Sequence, residues 1–210
     1  MARTEKKEVT IPAINVQIMT IKIVGDSPLI THKWSEKAKR EILDKQMKKA
    51  KTKGYDIRNP VLDFINSLYW LNNEPEEKTE EGFIKAIKDG ARFGFPSIGF
   101  KASAISAGYR SGVIPNKVSA NAAFHIDNEF VVINGVPEMR EDMVKVGMGT
   151  ADLRYRGGFN QWYAEIDIRY NASVISPEQV VNLFNLGGFA CGIGEWRVEK
   201  GGSNGMYHVE

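Results

Sequence analysis

The chain has 210 residues, 42% hydrophobic and 26% charged, with a formal net charge of +2. This composition is typical of a globular protein and excludes global disorder, and the length suits one substantial core better than two full domains. No apolar run approaches the ~20 residues that a membrane-spanning helix needs.

The single cysteine, Cys191, excludes an internal disulfide and a cluster of thiolate metal ligands. The charged start, residues 1–8, has no apolar core and is not typical of a secretory signal. We therefore expect a reducing, cytoplasmic compartment. Residues 1–58 carry 14 basic and 7 acidic side chains, whereas the rest carries 14 and 19. This asymmetry predicts either a basic binding face or an ordinary solvated helix face.

The sequence predicts a flexible tail over residues 1–10, followed by one α+β domain over residues 11–210. Alternating β-branched residues predict a strand over Ile14–Val24. Ser35 is placed to cap a lysine-rich helix that runs to about Lys53. Its predicted core-facing residues are Ala38, Ile42, Met47 and Ala50.

A short apolar helix is predicted over residues 60–71, opening at Pro60, and residues 72–82 read as an acidic loop. Further helices are predicted over Lys101–Tyr109 and Lys117–Ala123. Asn134-Gly135 suits a type I′ turn, which predicts a β-hairpin beginning with Phe130–Ile133. Another strand is predicted over Met143–Val146.

The last part of the chain has the clearest signals. Tyr163–Tyr170 alternates, with Ala164, Ile166, Ile168 and Tyr170 on one face, and predicts a strand with one wet side. Ser176 and Gln179 form a capping-box pattern at the start of a helix that Gly187-Gly188 are expected to end. A final strand is predicted over Met206–Val209. The expected architecture is an antiparallel sheet with helices packed on one face.

The glycine-rich segment 187–205 interleaves seven glycines with Trp196, Arg197 and Lys200. Glycines let a phosphate approach main-chain amides, cations add charge, and an indole ring can stack on a base. The segment therefore predicts a seat for a polyanion, with a flexible terminal hairpin as the alternative. It lies after a helix and before a strand, which is the wrong context for a dinucleotide fingerprint.

Two further segments have the composition of a nucleic-acid surface. Arg154 and Arg156 flank Tyr155 within Leu153–Trp162, which suits single-strand binding or, alternatively, a hairpin whose rings fill the edge of the core. The basic helix over residues 35–53 could follow a phosphate backbone through Lys45 and Lys49.

No complete catalytic constellation is found, and no metal or cofactor is expected. The three histidines, His32, His125 and His208, are not at metal-ligand spacing from one another or from Cys191. His32 follows the first strand and lies beside Lys33. A lone histidine is more often a hydrogen-bonded residue than a general acid or base, since phosphodiester cleavage also needs charge stabilisation.

The end of the chain resembles the RAMP superfamily of CRISPR-associated guide-RNA-processing and backbone proteins. The resemblance lies in a helix, a glycine-rich loop with Arg and Lys, and a last short strand, and it covers about a quarter of the chain, Tyr163 to Val209. It implies a ferredoxin-like or RRM-like sheet, hairpin insertions and an RNA-contacting loop. The matching positions are Gly192, Gly194, Arg197, Gly201, Gly202 and Gly205. Segments Pro28–Lys51 and Met143–Tyr155 are similar to uncharacterised tailed-bacteriophage proteins.

These observations lead to three hypotheses. The first is a non-catalytic protein that binds single-stranded RNA or DNA in the cytoplasm (that of the host if phage-encoded) and assembles along the strand as a homo-oligomer. The second is a bacteriophage structural or assembly protein. The third is a metal-independent ribonuclease that uses His32. The candidate binding residues are Gly192, Gly194, Trp196, Arg197, Lys200, Gly201, Gly202, Gly205, Arg154, Tyr155, Arg156, Lys45 and Lys49.

Overall fold

The computed structural model describes residues 13–34, 36–47, 58–146 and 149–210. The strands in this part are β1 Val16–Gly25, β2 Leu29–Thr31, β3 Phe93–Pro96, β4 Phe124–Ile126, β5 Phe130–Ile133, β6 Glu138–Val146, β7 Thr150–Phe159, β8 Tyr163–Asn171 and β9 Tyr207–Val209. The α-helices are α1 Glu36–Gln46, α2 Pro60–Ser67, α3 Glu80–Lys88, α4 Ser97–Arg110, α5 Lys117–Ala123 and α6 Pro177–Ala190. Among these helices none combines the length and the apolarity that crossing a membrane requires.

The largest sheet has four antiparallel strands in the order β4-β8-β1-β9. β1 pairs with β8 from Val16↔Asn171 to Val24↔Tyr163. Alternate residues of β8 are buried and exposed along its length, so the predicted strand with one wet face is confirmed. The chain is thus an α+β protein with antiparallel sheets, as its sequence predicts.

Helices α4 and α6 pack against each other and against this sheet. Phe124 of β4 contacts Phe184 of α6, and Phe100 of α4 contacts Tyr207 of β9, with ring centroids 5.9 Å apart in both pairs. The predicted capping box at Ser176 is present. The Ser176 side chain accepts a hydrogen bond from the Gln179 amide, and the Gln179 side chain accepts one from the Ser176 amide.

The prediction that Gly187-Gly188 end α6 is wrong, because the helix continues to Ala190. Both glycines instead allow close packing inside the helix. A Cβ on Gly187 would lie 2.8 Å from backbone atoms of Ala104, and a Cβ on Gly188 would lie 1.8 Å from the Tyr207 carbonyl oxygen. Glycine is needed at both positions because a side chain would have no room there, and not because it ends the helix.

The hairpin predicted at Asn134-Gly135 is not formed. β5 pairs with β3, and β6 pairs with β7 from Glu138↔Gly158 to Val146↔Thr150. Asn134 instead exchanges two backbone hydrogen bonds with Tyr163, at 2.9 and 3.1 Å. The β3–β5 pairing places Val131 opposite Phe95 and Ile133 opposite Phe93, and all four side chains are buried in the core.

Several helix boundaries differ from the sequence-based expectation. α3 begins inside the predicted acidic loop, since Thr79 caps it by accepting from the Gly82 amide. α2 opens at Pro60 as predicted, but ends at Ser67. α4 begins at Ser97 and not at Lys101, whereas α5 has its predicted bounds.

The basic helix α1 is described only to Gln46, with Met47 following it, whereas Ser35 and residues 48–57 lie outside the described residues. Two residues predicted to face the core, Ile42 and Met47, are exposed. Ala50 lies outside the described residues, and so does the side chain of Ala38. Ile42 faces a surface groove, which explains why an apolar residue of α1 has no place in the core.

Candidate functional site

A surface groove of about 630 Å³, here called the His32 groove, lies where the chain leaves β2 and enters α1. His32, Lys33 and Trp34 come from this connection. Trp34 is 61% exposed. The full lining is His32, Lys33, Trp34, Ile42, Arg58, Asp63, Asn66, Ser67, Asp152, Arg154, Tyr155 and Glu195.

The charges in the groove are largely paired. Arg58 donates to Asp63 at 2.8 Å and to Asp152 at 2.7 Å, and this hydrogen bond from Arg58 lowers the pKa of Asp152. Arg154 lies 3.5 Å from Asp152. The Tyr155 ring centroid is 5.9 Å from the Arg58 guanidinium carbon. The carboxylates therefore hold the guanidinium groups in fixed positions, and a bound anion would have to share them.

His32 is a partly buried residue of the groove lining. Its Nε2 is 3.5 Å from the Arg154 guanidinium, and its Nδ1 is buried with no hydrogen-bond partner among the described residues. Burial, together with the positive charge of Arg156, lowers the pKa of His32 below its ordinary value of 6.5. The imidazole is therefore mainly uncharged at neutral pH.

Arg156 is only 3% exposed, which corrects its prediction as a surface contact to nucleic acid. Its guanidinium lies 3.5 Å from Asp142 and 3.7 Å from Glu195. Arg154 and Arg156 are two positions apart on β7 and therefore share a face of the strand, opposite to Tyr155. Arg156 is the buried member of this pair, whereas Arg154 is partly exposed. Through Glu195, Arg156 of β7 contacts the glycine-rich segment.

The glycine-rich segment folds back on itself, which corrects the expectation of freed main-chain amides. The amides of Gly192, Gly201, Gly202 and Gly205 donate to carbonyls of Gly187, Val198, Arg197 and Pro28 respectively. Gly205 is also buried, and a Cβ on it would lie 1.8 Å from the Ile193 carbonyl oxygen. The glycines of the glycine-rich segment form tight turns and close packing contacts. Because the amides of Gly192, Gly201, Gly202 and Gly205 already donate to carbonyls, they are not open to a phosphate.

The side chains of this segment have mixed surroundings. Arg197 pairs with Glu199 at 3.0 Å and donates to the Gly194 carbonyl at 3.2 Å. Trp196 is half exposed and has a φ of 55°, an uncommon conformation for a non-glycine residue. Lys200 and Gly201 are exposed, and Gly202 is partly buried.

A second cavity of about 240 Å³ adjoins the groove and shares His32 and Glu195 with it. It lies between α4 and the glycine-rich segment. Its lining is Ile30, His32, Tyr69, Phe95, Gly99, Ala102, Ser103, Ser106, Cys191, Gly192, Ile193, Gly194, Glu195, Arg197 and Glu199. Burial raises the pKa of the Cys191 thiol to about 11, so it is a poor nucleophile.

The structure thus brings together two segments that are far apart in sequence. Arg154 and Tyr155 line the groove, while Gly192, Gly194 and Arg197 line the adjoining cavity. The side chain of Lys45 and all of Lys49 lie outside the described residues. Within the described ranges, no group of three or more His, Cys, Asp or Glu residues could hold a metal ion.

Among the cations and rings of the groove, Lys33, Trp34 and Arg58 were not predicted as binding residues from the sequence. The tripeptide His-Lys-Trp between a strand and a capped helix was the available signal, because a tryptophan outside both periodic elements has no core position assigned to it. Arg58 gave no local signal, since Asp152, its partner, is 94 positions away.

No protein-family model matches the chain, and no curated protein matches its sequence. Its structure is similar, at a TM-score of 0.37 and 9% sequence identity, to the crystal structure of Cmr6 from Pyrococcus furiosus. That match covers 94% of this chain and 100% of the Cmr6 chain.

Proposed function

We propose that this protein binds single-stranded RNA or DNA in the His32 groove and does not itself act on the strand. The observation that carries the proposal is the exposed Trp34 ring beside Lys33, Arg58 and Arg154 in one groove. A ring that stacks on a base, next to cations that contact phosphates, is the combination that single-strand binding requires. The basic helix α1 borders the same groove through Ile42.

We also propose that this α+β fold is ferredoxin-like. Removing the insertions leaves β1, α4, β4, β8, α6 and β9, which is the βαββαβ succession. In the sheet the last of these strands lies beside the first, followed by the third and the second. This order supports a RAMP-like unit.

The groove is a better candidate than the open face of the large sheet. On that face the central strand presents Ile18 and Thr20, and Thr20 donates to Asp167 at 2.6 Å. Its neighbours across the strand pair, Glu165 and Asp167, are acidic. The same face also carries Lys22 and Arg169, but these cations are paired with Glu210 and Asp127, so its charges are mixed and engaged. Its exposed ring, Tyr163, lies at the end of β8, whereas the groove places Trp34 directly beside Lys33.

Because Arg58 is shared with two carboxylates, we expect stacking to supply much of the affinity and salt to modulate it moderately. The test is a double charge reversal, Lys33→Glu with Arg154→Glu. The slope of log affinity against log salt is negative, and loss of one cation–phosphate contact with a single strand makes it shallower by about 0.7. Loss of two such contacts makes it shallower by about 1.4.

The matched control is Lys85→Glu with Lys88→Glu, which changes net charge equally on exposed positions of α3 outside the groove. We expect the groove variant to lose affinity and salt dependence for a labelled oligonucleotide, and the control to keep most of both. Equal behaviour of the two variants would contradict the proposal.

Two alternative functions are each supported by one observation. An uncharged His32 beside Arg154 is consistent with a metal-independent ribonuclease, since a neutral imidazole can accept a proton. His32→Ala would then stop RNA cleavage while binding persists.

Exposed Ile14, Val16 and Ile18 favour subunit contacts in a phage assembly protein or a homo-oligomer. Stable oligomers without nucleic-acid affinity would support that interpretation.

A further inference from the structure

The cavity of about 240 Å³ between α4 and the glycine-rich segment is here called the slot. The rings of Tyr69 and Phe95 lie on one side, in edge-to-face contact with centroids 6.0 Å apart. Gly192 and Gly194 add main-chain atoms to the lining. α4 contributes Ala102 and Ser106, which are small. Walls made of rings, backbone and small side chains leave room for a flat group.

The position of the slot connects it to the proposed strand-binding groove. His32 and Glu195 line both spaces, so a strand in the groove passes the mouth of the slot. Glu195 is held there because its amide donates to the Ile30 carbonyl at 2.9 Å. A nucleotide in the groove can therefore turn its base into the slot while its phosphates stay with the groove cations.

The polar groups of the slot suit a base edge and not a phosphate. The guanidinium that lines it, that of Arg197, is already engaged by Glu199 and the Gly194 carbonyl. The Ser106 hydroxyl has no hydrogen bond within the part of the chain that the structure describes. The Glu195 carboxylate lies 3.7 Å from the Arg156 guanidinium through one oxygen, and it retains lone pairs that accept hydrogen bonds and repel anions.

We propose that this slot receives one unstacked nucleobase that bears an exocyclic amine, a proposal that rests on the single-strand-binding function above. Unstacked bases are recognised by stacking on aromatic rings and by hydrogen bonds to their edges. A carboxylate accepts from an exocyclic amine such as that of cytosine. Uracil is disfavoured, because its one N–H on that edge stands between two carbonyl acceptors that Glu195 repels.

The test compares oligo(C) with oligo(U) of equal length at one salt concentration. We expect wild-type protein to bind oligo(C) at least about fivefold more tightly, since one good hydrogen-bonded pair gives roughly 5- to 150-fold discrimination. Ser106→Phe fills the slot and should remove this preference while oligo(U) binding persists. Ser111→Phe, at the exposed end of the same helix, is the control and should keep it.

Glu195→Gln is a second variant that retains side-chain size, and it should reduce the cytosine preference if Ser106→Phe does not fold. Equal wild-type affinity for the two homopolymers would overturn the slot proposal and leave the groove proposal standing. Persistence of the preference in both slot variants would also overturn it. Absence of binding to any strand would refute the groove proposal first, and the slot proposal with it.

Discussion

Replacing Trp34 by alanine should weaken single-strand binding without unfolding the protein. The side chain is 61% exposed and lines the groove beside Lys33. Stacking of one base on an aromatic ring is worth about 1–3 kcal/mol, so we expect the dissociation constant to rise roughly 5- to 150-fold. The free energy of unfolding should change by no more than about 0.5 kcal/mol, as is usual for exposed positions.

The assay is the fluorescence anisotropy of a labelled oligonucleotide of about 20 nucleotides, titrated at fixed salt because affinity depends on ionic strength. Phe189→Ala is the matched control. Phe189 is 71% exposed on α6 and lines neither the groove nor the slot. Unchanged affinity in Trp34→Ala, or an equal loss in both variants, would refute the reasoning that stacking occurs in the groove.

Two further predictions concern stability. Gly188→Ala should destabilise the fold, because the added Cβ would lie 1.8 Å from the Tyr207 carbonyl oxygen. Overpacking costs about 1–3 kcal/mol, and so short a contact with backbone places the cost in the upper part of that range, above the helix-propensity gain of about 1 kcal/mol. Urea midpoints against Asn182→Ala, an exposed position of α6, check this. His32→Gln should retain more stability than wild type on acidification, because burial lowers the folded pKa of His32 and the unfolded chain takes up the proton first as pH falls below 6.5. Urea midpoints at about pH 7.5 and about pH 5.5 measure it, and an equal acid loss in both proteins would contradict it.

The elements that sequence alone predicts are those whose signals are local. Alternation in Tyr163–Tyr170 and the capping box at Ser176 depend on neighbours a few residues away, and both are present in the structure. The prediction of a hairpin at Asn134-Gly135 is wrong because β5 pairs with β3, where Ile133 lies opposite Phe93, about 40 positions earlier in the chain. Long-range packing overrides a turn preference of that kind.

The candidate site shows the same limit. Sequence composition indicated that Arg154, Tyr155 and the glycine-rich segment belong together, and the structure places them around His32 and Glu195. It could not show that the Gly205 amide is taken by the Pro28 carbonyl. Nor could it show that Arg156 points inward, since this depends on which face of β7 the rest of the fold covers.

The central claim is that a single strand lies in the His32 groove, and ultraviolet crosslinking mapped by mass spectrometry tests it most directly. With bound single-stranded oligonucleotide, we predict nucleotide adducts on Trp34 or Tyr155, whose rings line the groove. A strand that binds but crosslinks only to rings outside it, such as Phe189 or Tyr163, would contradict the account.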